Sequence, residues 1–154
     1  MTADLLMGMG YKAFAKIPQS VVQDCDYRTV LPHKTVATLA GIGWIGKCAA
    51  LVTDKVGSAL RVSVVLTDAP LDCGTPITIS KCDPNCGVCV GACPGKAPQG
   101  GLWEAGIDRE IIFNAHNCRT AARARAKALL DVEETLCGLC LSNCPFTKRA
   151  LGYE

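Results

Sequence analysis

The spacing of apolar and polar positions changes several times along the chain, and the changes outline its elements. Asp4-Leu-Leu-Met starts as a helical run, weakens at Gly8 and Gly10, and continues into the strand-like Tyr11-Lys-Ala-Phe-Ala-Lys16. The stretch 18–26 reads as a loop. Pro32 sets the first turn of a short helix over 33–40, which Gly41 ends. Two β-rich runs follow, Ala49-Ala-Leu-Val-Thr53 and Ala59-Leu-Arg-Val-Ser-Val-Val-Leu-Thr67. The turn-forming Asp54-Lys-Val-Gly-Ser58 between them predicts an antiparallel hairpin. The irregular stretch 68–80, with Pro70, Gly74 and Pro76, marks a boundary.

Beyond Pro94 the pattern breaks into a loop rich in Gly and Pro. A helical turn is expected over 107–113. An Ala-rich helix is expected over 118–130, with Arg119, Arg123 and Lys127 on one face at i, i+4 spacing. That stripe is read as a solvated face, with docking to an acidic partner as the alternative. Short helices are expected after each Cys-Pro pair, because Pro suits the first helical position. The predicted class is α+β. A partial α/β domain with a β-hairpin occupies 1–72, and a two-cluster ferredoxin-like domain of helices and loops occupies 73–154.

The cysteines alter this picture most. There are eleven in 154 residues. Cys82-Asp-Pro-Asn-Cys86-Gly-Val-Cys89-Val-Gly-Ala-Cys93-Pro94 is echoed by Cys137-Gly-Leu-Cys140-Leu-Ser-Asn-Cys144-Pro145. Both runs end in Cys-x3-Cys-Pro, the mark of the bacterial pattern that holds two [4Fe-4S] clusters. In that pattern the last cysteine of each run ligates the other cluster. One cluster is then expected on Cys82, Cys86, Cys89 and Cys144. The other is expected on Cys93, Cys118, Cys137 and Cys140, with Cys118 supplying the ligand that the second run lacks. Cys25, Cys48 and Cys73 are left over. Cys82 and Cys86 are separated by three residues where the pattern has two, and Asp83-Pro84-Asn85 is expected to absorb the extra one as a turn. A pair of four-cysteine zinc sites is the competing reading.

The odd cysteine count, the tight clustering and an N-terminus without a basic, apolar leader argue against a secreted disulfide scaffold. No apolar run approaches the length of a membrane-spanning helix. The expectation is a cytoplasmic protein with no membrane partner. Formal net charge is +2. Two anionic clusters would reverse that sign, so the basic balance does not argue for nucleic acid.

Ala40-Gly41-Ile42-Gly43-Trp44-Ile45-Gly46-Lys47 puts three glycines into a helix-to-strand turn, which allows close backbone approach to a ligand or to another segment. It lacks the strand-before-helix context of a dinucleotide fingerprint. Taken in order, Leu31-Pro-His-Lys-Thr-Val-Ala-Thr-Leu-Ala-Gly-Ile-Gly-Trp-Ile-Gly-Lys47, then Gly57-Ser-Ala-Leu-Arg-Val-Ser-Val-Val-Leu-Thr-Asp-Ala-Pro-Leu71, then the two cysteine runs, the chain resembles the epoxyqueuosine reductase family. More distantly it resembles the corrinoid reductive dehalogenases.

The resemblance implies a cobalamin beside two [4Fe-4S] clusters, with Gly41, Gly43, Trp44, Gly46 and Lys47 near the corrin. It also implies a catalytic acid near Asp26, with Asp24 as a second candidate and a plain surface carboxylate as the competing reading for both. Cys48 either faces the cofactor or, as the preferred reading, is a small buried hydrophobe. The chain is expected to be a short form that lacks the N-terminal part of the family's α/β domain and the tRNA-binding repeats of some members. Three functions follow: a relay passing single electrons to a cofactor or redox partner protein, a cobalamin-dependent reductase, or a redox-sensing module. A homo-oligomer remains compatible with each.

Overall fold

The computed structural model describes residues 1–16 and 21–153. The first part of the loop expected over 18–26 lies outside them. Helix α1 (Thr2–Gly8) and strand β1 (Ala13–Lys16) form as the pattern predicts, with Gly10 turning the chain at φ +92°. Helix α2 (His33–Leu39) follows Pro32, and Gly41 (φ +71°) takes the left-handed conformation just beyond it. Strands β2 (Trp44–Ile45), β3 (Leu51–Val52) and β4 (Val64–Thr67) form two separate two-stranded antiparallel sheets. The helices of the second half are α3 (Val88–Ala92), α4 (Arg109–Ile112), α5 (Ala115–Leu130), α6 (Leu139–Ser142) and α7 (Pro145–Leu151).

The predicted hairpin does not form. Leu51–Val52 pairs backward with Trp44–Ile45, and Val64–Thr67 pairs with Ala13–Lys16. The turn itself is present: the Thr53 and Gly57 backbones exchange hydrogen bonds of 2.9 and 3.0 Å. The chain then leaves the ladder because the next residues are taken by α7. Ser58 N–H donates to Thr147 Oγ1 at 2.9 Å, and the two hydroxyls lie 2.8 Å apart. Gly57 is held so close that a Cβ would stand 2.4 Å from Thr147 Cα. Residues 59–63 therefore pass by without a strand partner. The helix expected after Pro94 is also replaced, by a turn with Lys96 at φ +47°.

The core lies between the glycine-rich turn and the second half. Ala37, Ile45, Leu51 and Ile112 form one buried group, flanked by Leu60, Val62, Trp103, Ile107 and Phe113. It draws on both sides of position 72. Trp44 and Val52 are fully buried beside it, and Trp44 meets Phe146 edge to face at 5.0 Å. The N-terminal layer is thinner: α1 buries no residue, and the cross-strand pair Phe14 and Leu66 is exposed. Among the described residues no helix is long and apolar enough to cross a membrane.

Candidate metal centre

The first cysteine run is shaped by a turn and a short helix. Asp83 Oδ1 accepts from Asn85 N–H at 2.8 Å and Asp83 O accepts from Cys86 N–H at 3.0 Å. This turn absorbs the extra residue between Cys82 and Cys86. Cys89 then rides on α3, and Cys93 leaves its end in extended conformation. In the second run Gly138 (φ +76°) starts α6, which carries Cys140, while Cys144 caps α7 with Pro145 at its first turn.

Two groups of thiols result. Cys82, Cys86, Cys89 and Cys144 line one cavity of about 350 Å³, together with Gly46, Lys47, Phe146 and Arg149. Burial first, then the charges of neighbouring thiols including Cys82, Cys86 and Cys144, push the Cys89 thiol up to about 11. The second group is Cys93, Cys118, Cys137 and Cys140. Cys118 is raised by burial and then by Cys93 and Cys137, and Cys140 feels Cys118, Cys93 and Cys137 in turn.

Cys93 reaches this group because Gly95 lies flat on α5. A Cβ there would stand 2.6 Å from Asn117 O and 2.7 Å from Ala121 Cβ. Ala97 N–H also points at Cys93 Sγ at 3.4 Å. Cys82, Cys86, Cys89 and Cys144 thus line one cavity, while Cys93, Cys118, Cys137 and Cys140 lie near enough for their charges to act on one another.

The donor set fits a [4Fe-4S] cluster, which takes four cysteine thiolates: four thiols stand around one cavity.

The glycine-rich turn serves this site from behind. Gly43 through Ala49 are all buried. A Cβ on Gly41 would stand 2.5 Å from Thr75 O, and one on Gly43 would stand 2.2 Å from Val52 O. The close approaches that Gly41 and Gly43 allow are to the chain itself, while Gly46 and Lys47 line the thiol cavity. Lys47, only 4% exposed, is the one buried charged side chain among the described residues. Its ammonium donates to Pro84 O at 2.7 Å and Cys86 O at 3.0 Å, bracing the first cysteine run. Sequence reading linked this lysine to a cofactor, and its apolar surroundings in Gly-Trp-Ile-Gly-Lys were the available sign of burial.

Cys48, left without a role, lies between the two thiol groups. Its pKa is raised strongly, first by the neighbouring Cys140 and then by burial, and that of Cys140 is lowered in turn. Lys34 belongs to this neighbourhood too. The residue as a whole is exposed, but its ammonium turns inward to Ala49 O at 2.5 Å. Desolvation lowers its pKa, against the pull of Cys48. Cys25 and Cys73 are exposed.

The two candidate acids separate clearly. Asp24 Oδ1 accepts from the backbone N–H groups of Asp26 (3.0 Å) and Arg28 (2.7 Å), so this carboxylate shapes its own turn. Asp26 opens onto a cleft of about 760 Å³ shared with Arg28, Asp108, Glu110, Asn114 and His116. Its Oδ1 lies 3.3 Å from His116 Nε2, and the His116 ring packs on Tyr27 at 5.0 Å. No spacing rule in the sequence pointed to His116.

No protein-family model matches the chain. It is 31% identical over 146 residues to the epoxyqueuosine reductase of Gloeobacter violaceus, covering 92% of this chain and 41% of that protein. It is 29% identical to the epoxyqueuosine reductase of a Synechococcus strain, covering 83% and 41%. Among solved structures, an epoxyqueuosine reductase superposes with a TM-score of 0.64 at 21% identity, over 94% of this chain and 36% of that one. A reductive dehalogenase, described as carrying out B12-dependent dehalogenation, superposes with a TM-score of 0.63 at 20% identity, over 95% and 20%. The mixed architecture of helices and small sheets is that of the epoxyqueuosine reductase fold.

Proposed function

From the premise that the chain is a relative of the epoxyqueuosine reductases, spanning about two fifths of the length of the curated relatives it matches, we propose that it is an iron–sulfur redox protein. It carries two [4Fe-4S] clusters and relays single electrons between them to an acceptor. The observation that carries this reading is the interleaving of two four-thiol groups, Cys82, Cys86, Cys89 and Cys144 against Cys93, Cys118, Cys137 and Cys140. Crossed ligands bring two clusters close together, which suits one-electron exchange. The clusters supply reversible one-electron chemistry. The chain's own part is to hold the sulfurs, exclude water with the buried wall of Gly43–Ala49, and neutralise charge with Lys47. Such thiols suit a reducing, cytoplasmic setting. The acceptor is either a bound cofactor or a redox partner protein.

A cobalamin-dependent reductase is the second reading. The observation favouring it is the open cleft in which Asp26 meets His116. No step is assigned to a corrin.

Anaerobic purification followed by iron and sulfide analysis tests the main reading. About eight of each per chain are expected, with broad visible absorption that bleaches on reduction. A colourless protein with stoichiometric zinc would overturn it. Adding cobalamin to the anaerobic protein separates the readings: a shifted cobalamin spectrum favours the reductase.

A further inference from the structure

Lys47 is buried, 4% exposed, and forms part of the wall of the cavity that Cys82, Cys86, Cys89 and Cys144 line. The backbone holds it there. Ala49 N–H donates to Gly46 O at 2.8 Å and Gly46 N–H donates to Ala50 O at 2.9 Å, so Lys47 sits in a closed turn. A Cβ on Gly46, the residue before it, would stand 3.6 Å from Cys82 Sγ. The far end of the side chain is fixed as well, by the Pro84 and Cys86 carbonyls. Both carbonyls belong to the run that carries Cys82, Cys86 and Cys89, so the ammonium is held against that run.

The other charged residues around this cavity are Lys81, Asp83 and Arg149, and all three are exposed. Lys81 is also paired with Asp54 Oδ2 at 2.8 Å. Water and salt screen charges in such places. At the same distance, a charge in an effective dielectric of about 20 acts about fourfold more strongly than one in bulk water. The buried ammonium of Lys47 therefore outweighs the exposed charges at the rim.

We infer that Lys47 is the charge that raises the reduction potential of the cluster held by the first thiol group. This rests on the two-cluster reading above. Reduction adds one electron to the cluster, and its negative charge grows by one. A fixed, buried cation beside it stabilises the reduced form more than the oxidised form. Bracing the cysteine run needs only a hydrogen-bond donor, whereas raising the potential needs the charge, so substitutions can separate the two roles.

The test is a redox titration of the cluster-loaded chain, followed by electron paramagnetic resonance, with iron and sulfide measured on every sample. The signal that Cys144→Ser removes identifies the first cluster. Lys47→Gln keeps a donor for the carbonyls and removes the charge; Lys47→Met removes both. In each, the first cluster's potential moves to a more negative value and the second cluster's moves less. Lys81→Ala moves the first potential less than Lys47→Gln does. An unchanged first potential in Lys47→Gln, with iron at the wild-type level, overturns the inference and leaves Lys47 as a brace. Equal shifts of both clusters overturn it, as does a shift in Lys81→Ala as large as that in Lys47→Gln. Loss of the first cluster from both Lys47 variants overturns it too, because the residue would then serve assembly. A wild-type chain without two clusters sinks the underlying reading instead, so the wild-type metal content alone tells the two failures apart.

Discussion

Cys82, Cys86 and Cys89 reach the first thiol group from one turn-and-helix run, and Cys144 alone arrives from a distance. The second group is assembled from three stretches: Cys93 at the end of α3, Cys118 inside α5, and Cys137 with Cys140 at α6. The first group is also walled in, by the buried Gly43–Ala49 segment and by the Lys47 brace. The second depends on one close approach, Gly95 against α5. Local turn chemistry therefore sets most of the first site, while the second exists only where distant packing is correct. Ligand substitutions should damage both sites alike, and packing substitutions should damage the second more.

The largest effect comes from the crossed ligands. Cys144→Ser is expected to remove the cluster otherwise held by the first run, and Cys93→Ser the cluster otherwise held by the second. Each should lower iron per chain by about half. Electron paramagnetic resonance of the reduced variants would then show the opposite cluster surviving in each. If Cys93→Ser instead destroyed the cluster shared by Cys82, Cys86 and Cys89, the ligands would not be crossed and the comparison would collapse.

Lys47 comes next. Lys47→Met leaves the carbonyls of Pro84 and Cys86 without their donor in a buried setting, and each bond to a charged group is worth about 1.5–3 kcal/mol. A net loss of about 2–4 kcal/mol is expected once the new methyl group's burial offsets part of it. Denaturant unfolding of the cluster-loaded protein reads this directly. The first cluster should be released earlier than the second during unfolding. Equal release of both would mean that the brace serves the whole fold and not one site.

Gly95→Ala tests the opposite side of the comparison. The added methyl must displace Asn117 O or Ala121 Cβ, an overpacking cost of about 1–3 kcal/mol. The shift separates Cys93 from Cys118, so the second cluster should lose occupancy while the first stays full. Iron analysis combined with the two resonance signals distinguishes this from a general loss of stability.

This asymmetry also explains how much the sequence could disclose. The cysteine runs and the turn at Asp83–Asn85 are short-range features, and spacing alone was enough to find them. The start of α5 was legible as well, since Asn114 is a strong N-cap and its side chain accepts from Asn117 N–H at 2.9 Å. The Ala-rich period that drew attention to 118–130 hid it. The hairpin was misjudged for a different reason. Residues 59–67 have the composition of a strand, but their partner is chosen by Ser58 and Thr147, 89 residues apart, and no local pattern carries that choice. Lys47 and Cys48 were visible as a charge and a thiol after a glycine turn. The lysine's targets, the Pro84 and Cys86 carbonyls, exist only once the chain has folded back.

The smallest effect is expected on the exposed face of α5. Lys127 pairs with Asp131 at 2.8 Å, one turn on, and Arg123 approaches Glu133 at 3.8 Å, all four side chains being largely exposed to water. Arg119 departs from the stripe, since its guanidinium lies over the Tyr27 ring at 4.9 Å beside the Asp26 cleft. Exposed pairs of this kind are worth at most about 0.5 kcal/mol. Lys127→Ala should therefore leave the unfolding midpoint and both potentials almost unchanged, and the small loss should shrink further in high salt. If Lys127→Ala slowed electron delivery to an acidic redox protein while stability and potentials held, this face would be a docking surface. Arg123→Ala should then act with it, and added salt should suppress the wild-type rate to the level of the variants.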